Sequence, residues 1–191
     1  MSTNVLYGEI RFGANKGRQA FKVRRFSECK IESSWQSLTD TAEIVLPRNA
    51  RDFDRMKIGE WFREGDPIEI WLGYDGELVL EFAGYISQVA TGIPLVIRAE
   101  DQMYMLKRKT ASVSKQNCTL RDLLEAIAPG YTVSCDETKL LGSVRYANMQ
   151  VSQILDDLKK AGINSWFEGK VLHALSDSNR VDVVDIVLEQ T

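Results

Sequence analysis

Residues able to carry bond-breaking chemistry are few in this chain, and they are scattered. The single histidine, His173, sits between Leu172 and Ala174 in a strand-like stretch, with Ser176 and Asp177 just behind it. A hydrolytic triad needs an imidazole held between a nucleophile and a carboxylate. No Gly-x-Ser-x-Gly elbow is present to supply the nucleophile, so His173 reads as an ordinary strand histidine. Gly8 and Gly13 have P-loop spacing, but Ala14-Asn15 stands where a Lys-Ser/Thr pair must hold phosphate and magnesium. Those glycines are therefore turn residues. Glu100-Asp101, Asp136-Glu137 and Asp156-Asp157 are adjacent acids. Neighbours point to opposite faces of a strand, or about 100° apart on a helix, so such pairs do not converge on one bond. Cys29, Cys118 and Cys135 are odd in number and lack any CxxC pair. They read as free thiols in a reducing compartment, and one histidine with no cysteine cluster makes no familiar zinc set. We expect no catalytic residue, no cofactor and no metal, and hence no enzyme.

What remains is surface. Trp71 and Trp166 are expected to pack in the core. Trp35, in Ser33-Ser34-Trp-Gln-Ser37, and Trp61, in Gly59-Glu-Trp-Phe62, lie in loop-like context and are candidate contacts for a partner. A basic run of Lys16, Arg18, Lys22, Arg24 and Arg25 surrounds a turn. It reads as a solvated hairpin, with Arg24 and Arg25 as further candidate contacts. Two other readings use these residues. Arg24, Arg25, Phe26 and Trp35 could form the groove and stacking platform of a small barrel that binds single-stranded nucleic acid. Trp35 and Trp61 could instead serve a carbohydrate-binding module. Charge argues against nucleic acid. The chain carries 24 Lys plus Arg against 27 Asp plus Glu, and up to Lys109 the two signs balance at 16 each. Neither half has the positive excess that neutralising phosphates demands.

These side chains must be positioned mainly by strands. Residues 4–12 alternate, and Gly13 to Gly17 make a turn tolerant of positive φ. Residues 21–33 alternate with a phase break at Phe26, which predicts a long bulged strand. Residues 41–46 form a short strand closed by Pro47, and the charged stretch 48–62 an excursion with a short helical turn. Pro67-Ile-Glu-Ile-Trp71-Leu then meets Asp75-Gly76, a strong hairpin signal, and residues 77–90 return as a long strand. Residues 95–99 follow as a strand, and Asp101 is placed to cap a short helix over 102–108. In the second half the period changes. Thr119-Leu-Arg-Asp122 is a capping box, with Leu120, Leu123, Leu124 and Ile127 at helical spacing. Pro129-Gly130 ends that helix, and residues 131–134 read as a strand. Val151, Ile154, Leu155, Leu158 and Ala161 make a second apolar stripe, stopped by Gly162. Residues 163–167 and 171–175 then form strands around Glu168-Gly169-Lys170, and residues 181–188 a last strand.

Fold class follows. With 44% hydrophobic and 27% charged residues the composition is that of a globular protein. No apolar run approaches the roughly 18 residues of a membrane span, and residues 1–12 lack a signal peptide's apolar block. We expect a mainly β protein: a small β-barrel over residues 1–110, then a compact α+β domain over 111–191 with two helix–strand units. No linker separates them.

The order of several motifs carries a resemblance. Phe82-Ala-Gly84-Tyr-Ile86 lies in the long strand, followed by Pro94-Leu-Val-Ile-Arg-Ala-Glu100-Asp101 and by Met103 and Leu106-Lys107. Thr119-Leu120 opens a helix, Val151-Ser-Gln-Ile154-Leu155-Asp-Asp-Leu158 forms another, and Ser165-Trp-Phe-Glu-Gly169-Lys-Val-Leu172 makes an aromatic hairpin. Together these resemble the baseplate hub proteins of contractile-tailed phages, the late-control-D-like tail proteins, related to the hub part of type VI secretion spikes. The resemblance implies a tube-like barrel in a structural hub that joins tail tube to central spike, with no cofactor. It implies assembly in the bacterial cytoplasm and residence in the virion tail. Two barrels per subunit let a trimer of that family present a six-fold-like ring. This chain has room for one barrel, so we expect it alone to be a monomer or weak oligomer, and a homotrimer in the full assembly. Its expected partners are tube and spike proteins, with neither membrane nor nucleic acid.

Overall fold

The computed structural model describes residues 6–15, 17–47 and 61–176. Lys16, most of the charged excursion and the expected strand over 181–188 lie outside the described residues. Seven strands form one antiparallel sheet: β1 (Leu6–Phe12), β2 (Phe21–Val23), β3 (Glu28–Glu32), β4 (Thr41–Leu46), β5 (Pro67–Tyr74), β6 (Glu77–Ala90) and β7 (Leu95–Glu100). Their order is β2-β1-β5-β6-β7-β4-β3.

Alternation decides which face is buried. Ile10 and Phe12, Ala42, Ile44 and Leu46, Ile68 and Ile70, Phe82 and Ile86, and Leu95, Ile97 and Ala99 share one core, each at most 5% exposed. Phe62 joins them, and Trp61 packs against the cluster. Strands from all parts of one sheet share this single core, so the sheet curls over its own buried face. The curl does not close into the expected barrel, because the ladder ends at the short strands β2 and β3 and the sheet is open. Nor do residues 21–33 form one bulged strand. The phase break at Phe26 marks a connection between β2 and β3 that crosses the gap in the sheet. There Ser27 donates its N–H to the Val45 carbonyl (2.7 Å), and the Phe26 ring rests on Gly8 of β1, where a Cβ would stand 2.8 Å from Cε1. Side-chain packing thus bridges what backbone pairing leaves open.

The β5–β6 hairpin is as expected. Tyr74 pairs with Glu77, and Asp75 and Gly76 take φ of 52° and 94°, as a two-residue turn of this hand requires. After β7 comes α1 (Met103–Leu106), then β8 (Thr110–Thr119), α2 (Leu120–Ile127), β9 (Thr132–Cys135), β10 (Leu140–Gln150), α3 (Val151–Lys160), β11 (Ile163–Glu168) and β12 (Val171–Ser176). The Thr119 hydroxyl accepts from the Asp122 N–H at 3.1 Å while Asp122 accepts from the Thr119 N–H at 3.0 Å. The capping box is therefore complete. Both helix–strand units are present, α2 leading to β9 and α3 to the β11–β12 hairpin. β12 also pairs in parallel with β9. β8 and β10 form an additional two-stranded antiparallel ribbon. Leu120, Leu123, Leu124, Ile127, Val151, Ile154, Leu155 and Leu158 fill a second core with Phe167 and Leu172. Met103 and Leu106 of α1 belong to this second core, and Leu38, from the β3–β4 loop, packs against it.

Candidate interaction surface

The basic residues at the β1–β2 turn are largely committed within the molecule. Glu9 faces the outer side of β1, only 3% exposed, and gathers Arg11 (2.8 Å), Arg24 (2.9 Å) and Lys22 (3.3 Å). Arg11 and then Arg24, by hydrogen bonding to its carboxylate, hold its pKa down at about 2. Arg24 is thus a structural partner of Glu9 as well as a surface group. Arg25 is exposed. Arg18 is a half-buried clamp: its guanidinium donates to the carbonyls of Gly13 (2.6 Å) and Trp61 (2.8 Å), pairs with Asp66 (3.2 Å), and lies over the Phe21 ring (4.7 Å). Three side chains on one carboxylate and a fourth on another reduce the positive surface available for phosphate.

The four tryptophans divide differently from the expectation. Trp61 is half-buried, with its ring edge-on to Phe21 (4.9 Å) beside the Phe12–Phe62 pair. Trp71 is on the outer face of β5 rather than in the core. There Arg11 covers its ring at 4.1 Å, and its Nε1–H donates to Glu69 (2.9 Å). Strand parity explains this: Ile68 and Ile70 point inward, so Trp71 must point outward. Trp166 is half-buried too, stacked on His173 across the β11–β12 pair (5.3 Å, 15°). Trp35, from the β3–β4 loop, meets Trp166 edge-to-face at 6.4 Å.

That aromatic pair forms one wall of a cleft of about 600 Å³ between the curled sheet and the β11–β12 hairpin. Its other walls come from the β3–β4 loop, the middle of β6 and the residue after β7, and its polar lining includes Asp40, Glu81, Asp101 and Glu168. The parts are held firmly. Lys159 of α3 donates to the Gln36 carbonyl (2.8 Å), and Asp40 accepts from the Ser33 hydroxyl (2.7 Å) and the Ser34 N–H (3.1 Å). Asp101 is 6% exposed. Its backbone N–H donates to the Asp40 carbonyl (3.1 Å), and its Oδ1 accepts from the Met103 N–H (3.0 Å), the cap the sequence suggests. Its Oδ2 is buried without a hydrogen bond. Burial, reinforced by the charges of Asp40 and Glu100, pushes its pKa up to about 7.

Of the sequence-derived candidates, only Trp35 belongs to this cleft. Trp61, Arg24 and Arg25 lie elsewhere, and the structure adds Trp166, Asp40 and Asp101. Among the described residues no group of three His, Cys, Asp or Glu side chains could hold a metal ion, and no helix is long and apolar enough to cross a membrane.

No protein-family model matches the sequence, and no curated protein matches it. Solved structures do share the fold. A tail protein from Neisseria meningitidis MC58 aligns with a TM-score of 0.59 at 19% identity, over 88% of this chain and 50% of its own. The 43 kDa tail protein of prophage MuSo2 from Shewanella oneidensis gives 0.59 at 13%, over 89% and 55%. A prophage tail protein from Listeria monocytogenes EGD-e gives 0.55 at 15%, over 91% and 51%. The chain thus spans about half the length of the structures it matches.

Proposed function

We propose that this protein is a structural component of a phage or prophage tail, acting in the baseplate hub that joins the tail tube to the central spike. The observation that carries the reading is the fold: about nine-tenths of the chain aligns with three separate tail or prophage tail proteins. The two cores support a curled-sheet unit over residues 1–110 and an α+β unit over 111–191, with α1 reaching from the first into the second. The work of such a part is shape and register. The sheet surface pairs with neighbouring subunits, tube and spike bind along the axis, and no substrate is transformed. In this reading the chain assembles in the bacterial cytoplasm and ends in the virion tail. The curled sheet corresponds to one tube-like barrel, so a ring needs a second barrel per subunit.

Immunogold electron microscopy of tail particles from a producing bacterium tests the location. Label is expected at the head-distal end of the tail tube, and particles without label, or with label on the capsid, would overturn the reading. Light scattering at micromolar concentration tests the assembly rule. The 191-residue chain is expected to be a monomer or weak oligomer, since interfaces below about 1,000 Å² seldom sustain a stable complex. A tight trimer or hexamer would show that one barrel suffices.

A further inference from the structure

The outer face of β1 gathers more positive charge than the acids beside it offset. Arg11, Lys22 and Arg24 all converge on Glu9. Opposite Arg11, Glu69 of β5 is engaged by the Trp71 indole N–H. Three cations thus stand against two carboxylates, and like charges drawn to one point repel each other. Glu9 takes both guanidiniums through Nε, and their amino groups have no hydrogen bond among the described residues. One edge of each fork is anchored and the other is left to donate. The Arg11, Lys22 and Arg24 side chains are 42%, 54% and 68% exposed, so a partner can reach them. Apolar surface adjoins them. Tyr7, two residues from Glu9 on the same face of β1, is 49% exposed, and Leu80, opposite Trp71, is 43% exposed.

We propose that this face docks a protein partner and receives one of its glutamate or aspartate side chains beside Arg11 and Arg24. The proposal stands on charge and geometry and does not depend on the tail reading. A single incoming carboxylate makes the charges equal. A guanidinium presents paired donors that match the two oxygens of a carboxylate. Here both guanidiniums are already fixed by Glu9, and Arg11 also by the Trp71 ring at 4.1 Å, so little freedom is lost on binding. Around that contact Tyr7, Trp71 and Leu80 supply aromatic and aliphatic area. Tyrosine, tryptophan and arginine are the side chains on which interface energy concentrates. A nucleic acid fits this face less well, because its row of phosphates calls for a larger positive excess.

The test is a titration of the ¹⁵N-labelled protein with acetyl-leucyl-glutamyl-leucine amide, followed by NMR at the arginine Nε–H and tryptophan indole N–H signals. Saturable millimolar shifts are expected at Arg11, Arg24 and Trp71 and not at Trp35 or Trp166. Acetyl-leucyl-glutaminyl-leucine amide, the same shape without charge, should give no saturable shift. Arg24→Gln leaves Arg11 and Lys22 on Glu9, and it should weaken the response at Arg11 and Trp71 by roughly tenfold, as expected when a charge-assisted contact is lost. Because the glutamine peptide needs no mutation, the test holds even if that variant folds poorly. Equal shifts with the two peptides, shifts spread over all four indoles, or no saturable response would overturn the proposal. So would saturation of the same signals by oligothymidylate where the glutamate peptide has no effect, which would assign the face to nucleic acid.

Discussion

Replacing Gly84 by alanine should destabilise this protein more than any methyl group ordinarily does. Gly84 lies in β6 where β7 ends. Tyr85 stands opposite Glu100, and Ile86 opposite Ala99. A Cβ on Gly84 would overlap the Glu100 carbonyl oxygen, come within 2.7 Å of its carbon and lie 3.0 Å from the Asp101 Cα. Non-bonded carbons settle at about 3.5–4.0 Å, and every atom in the way is backbone, so no rotamer change gives relief. One strand must shift against the other. Overpacking of this kind costs about 1–3 kcal/mol, and backbone displacement places this case at the upper end. The smaller entropy of an alanine-bearing unfolded chain returns only about 0.4–1 kcal/mol, leaving roughly 2 kcal/mol net. At about 2–4 °C per kcal/mol for a chain of this size, Tm should fall by about 4–8 °C, with a lower urea midpoint. Gly92→Ala is the control: its Cβ would meet only the Pro94 carbonyl oxygen, at 3.7 Å, and Tm should hold or rise slightly. Circular dichroism melts of both variants decide the matter. If Gly84→Ala melts with the parent, the backbones of β6 and Asp101 do not meet as described, and the position of Asp101 in the cleft falls with them.

Other perturbations probe separate parts of the structure. Leu155 is 1% exposed in the second core, so Leu155→Ala should cost about 2–5 kcal/mol in urea denaturation; no change would mean the stripe on α3 faces outward. Gly76 has φ of 94° at the hairpin tip, and Gly76→Val should lose about 1–3 kcal/mol there, with parental stability refuting the turn. Acid stability reports on Glu9, whose folded pKa of about 2 lies below its ordinary 4.5. Its contribution is full above pH 4.5 and is lost as pH falls from there toward 2, so Glu9→Gln should flatten the acid limb of stability over that window. Asp101 works in the opposite sense, because its pKa is raised from 3.8 to about 7. Folding then favours the protonated acid, and stability is lost as pH rises from about 4 through 7. Asp101→Asn should remove that loss and match or exceed the parent above pH 7, and a variant less stable there would refute the burial argument.

Much of the fold was written in local signals. The capping box at Thr119, the stripes of α2 and α3 and the Asp75-Gly76 turn each depend on a few adjacent residues, and each formed as read, except that Ala161 falls just past α3 and is exposed. Signals that failed were those decided by distant pairing. Val113 is the sole largely buried side chain between Thr110 and Asn117, so β8 and its partner β10 carry little of the alternation that marks a strand. Their ladder is interrupted by several register shifts, which blurs the period further. The break at Phe26 was visible in the sequence, but whether it bulges one strand or separates two depends on the far edge of the sheet. Only there does Val45 accept the Ser27 N–H.

The cleft was hidden for a stricter reason. Its walls come from residues 33–35, 40, 80–83, 101 and 166–169, stretches far apart in sequence and brought together by packing between two cores. Each member also had a sufficient local explanation. Asp101 reads as a helix cap, and it is one, through Oδ1; its unpaired Oδ2 appears only once β6, β7 and the β3–β4 loop have closed around it. Trp166 reads as a core residue because its neighbours on β11 are buried, yet parity turns it outward onto His173 and Trp35. A residue that satisfies one local role can hold a second one only where tertiary structure leaves part of it unsatisfied. In this chain the leftover is a carboxyl oxygen beside two indoles in a cleft lined by acids.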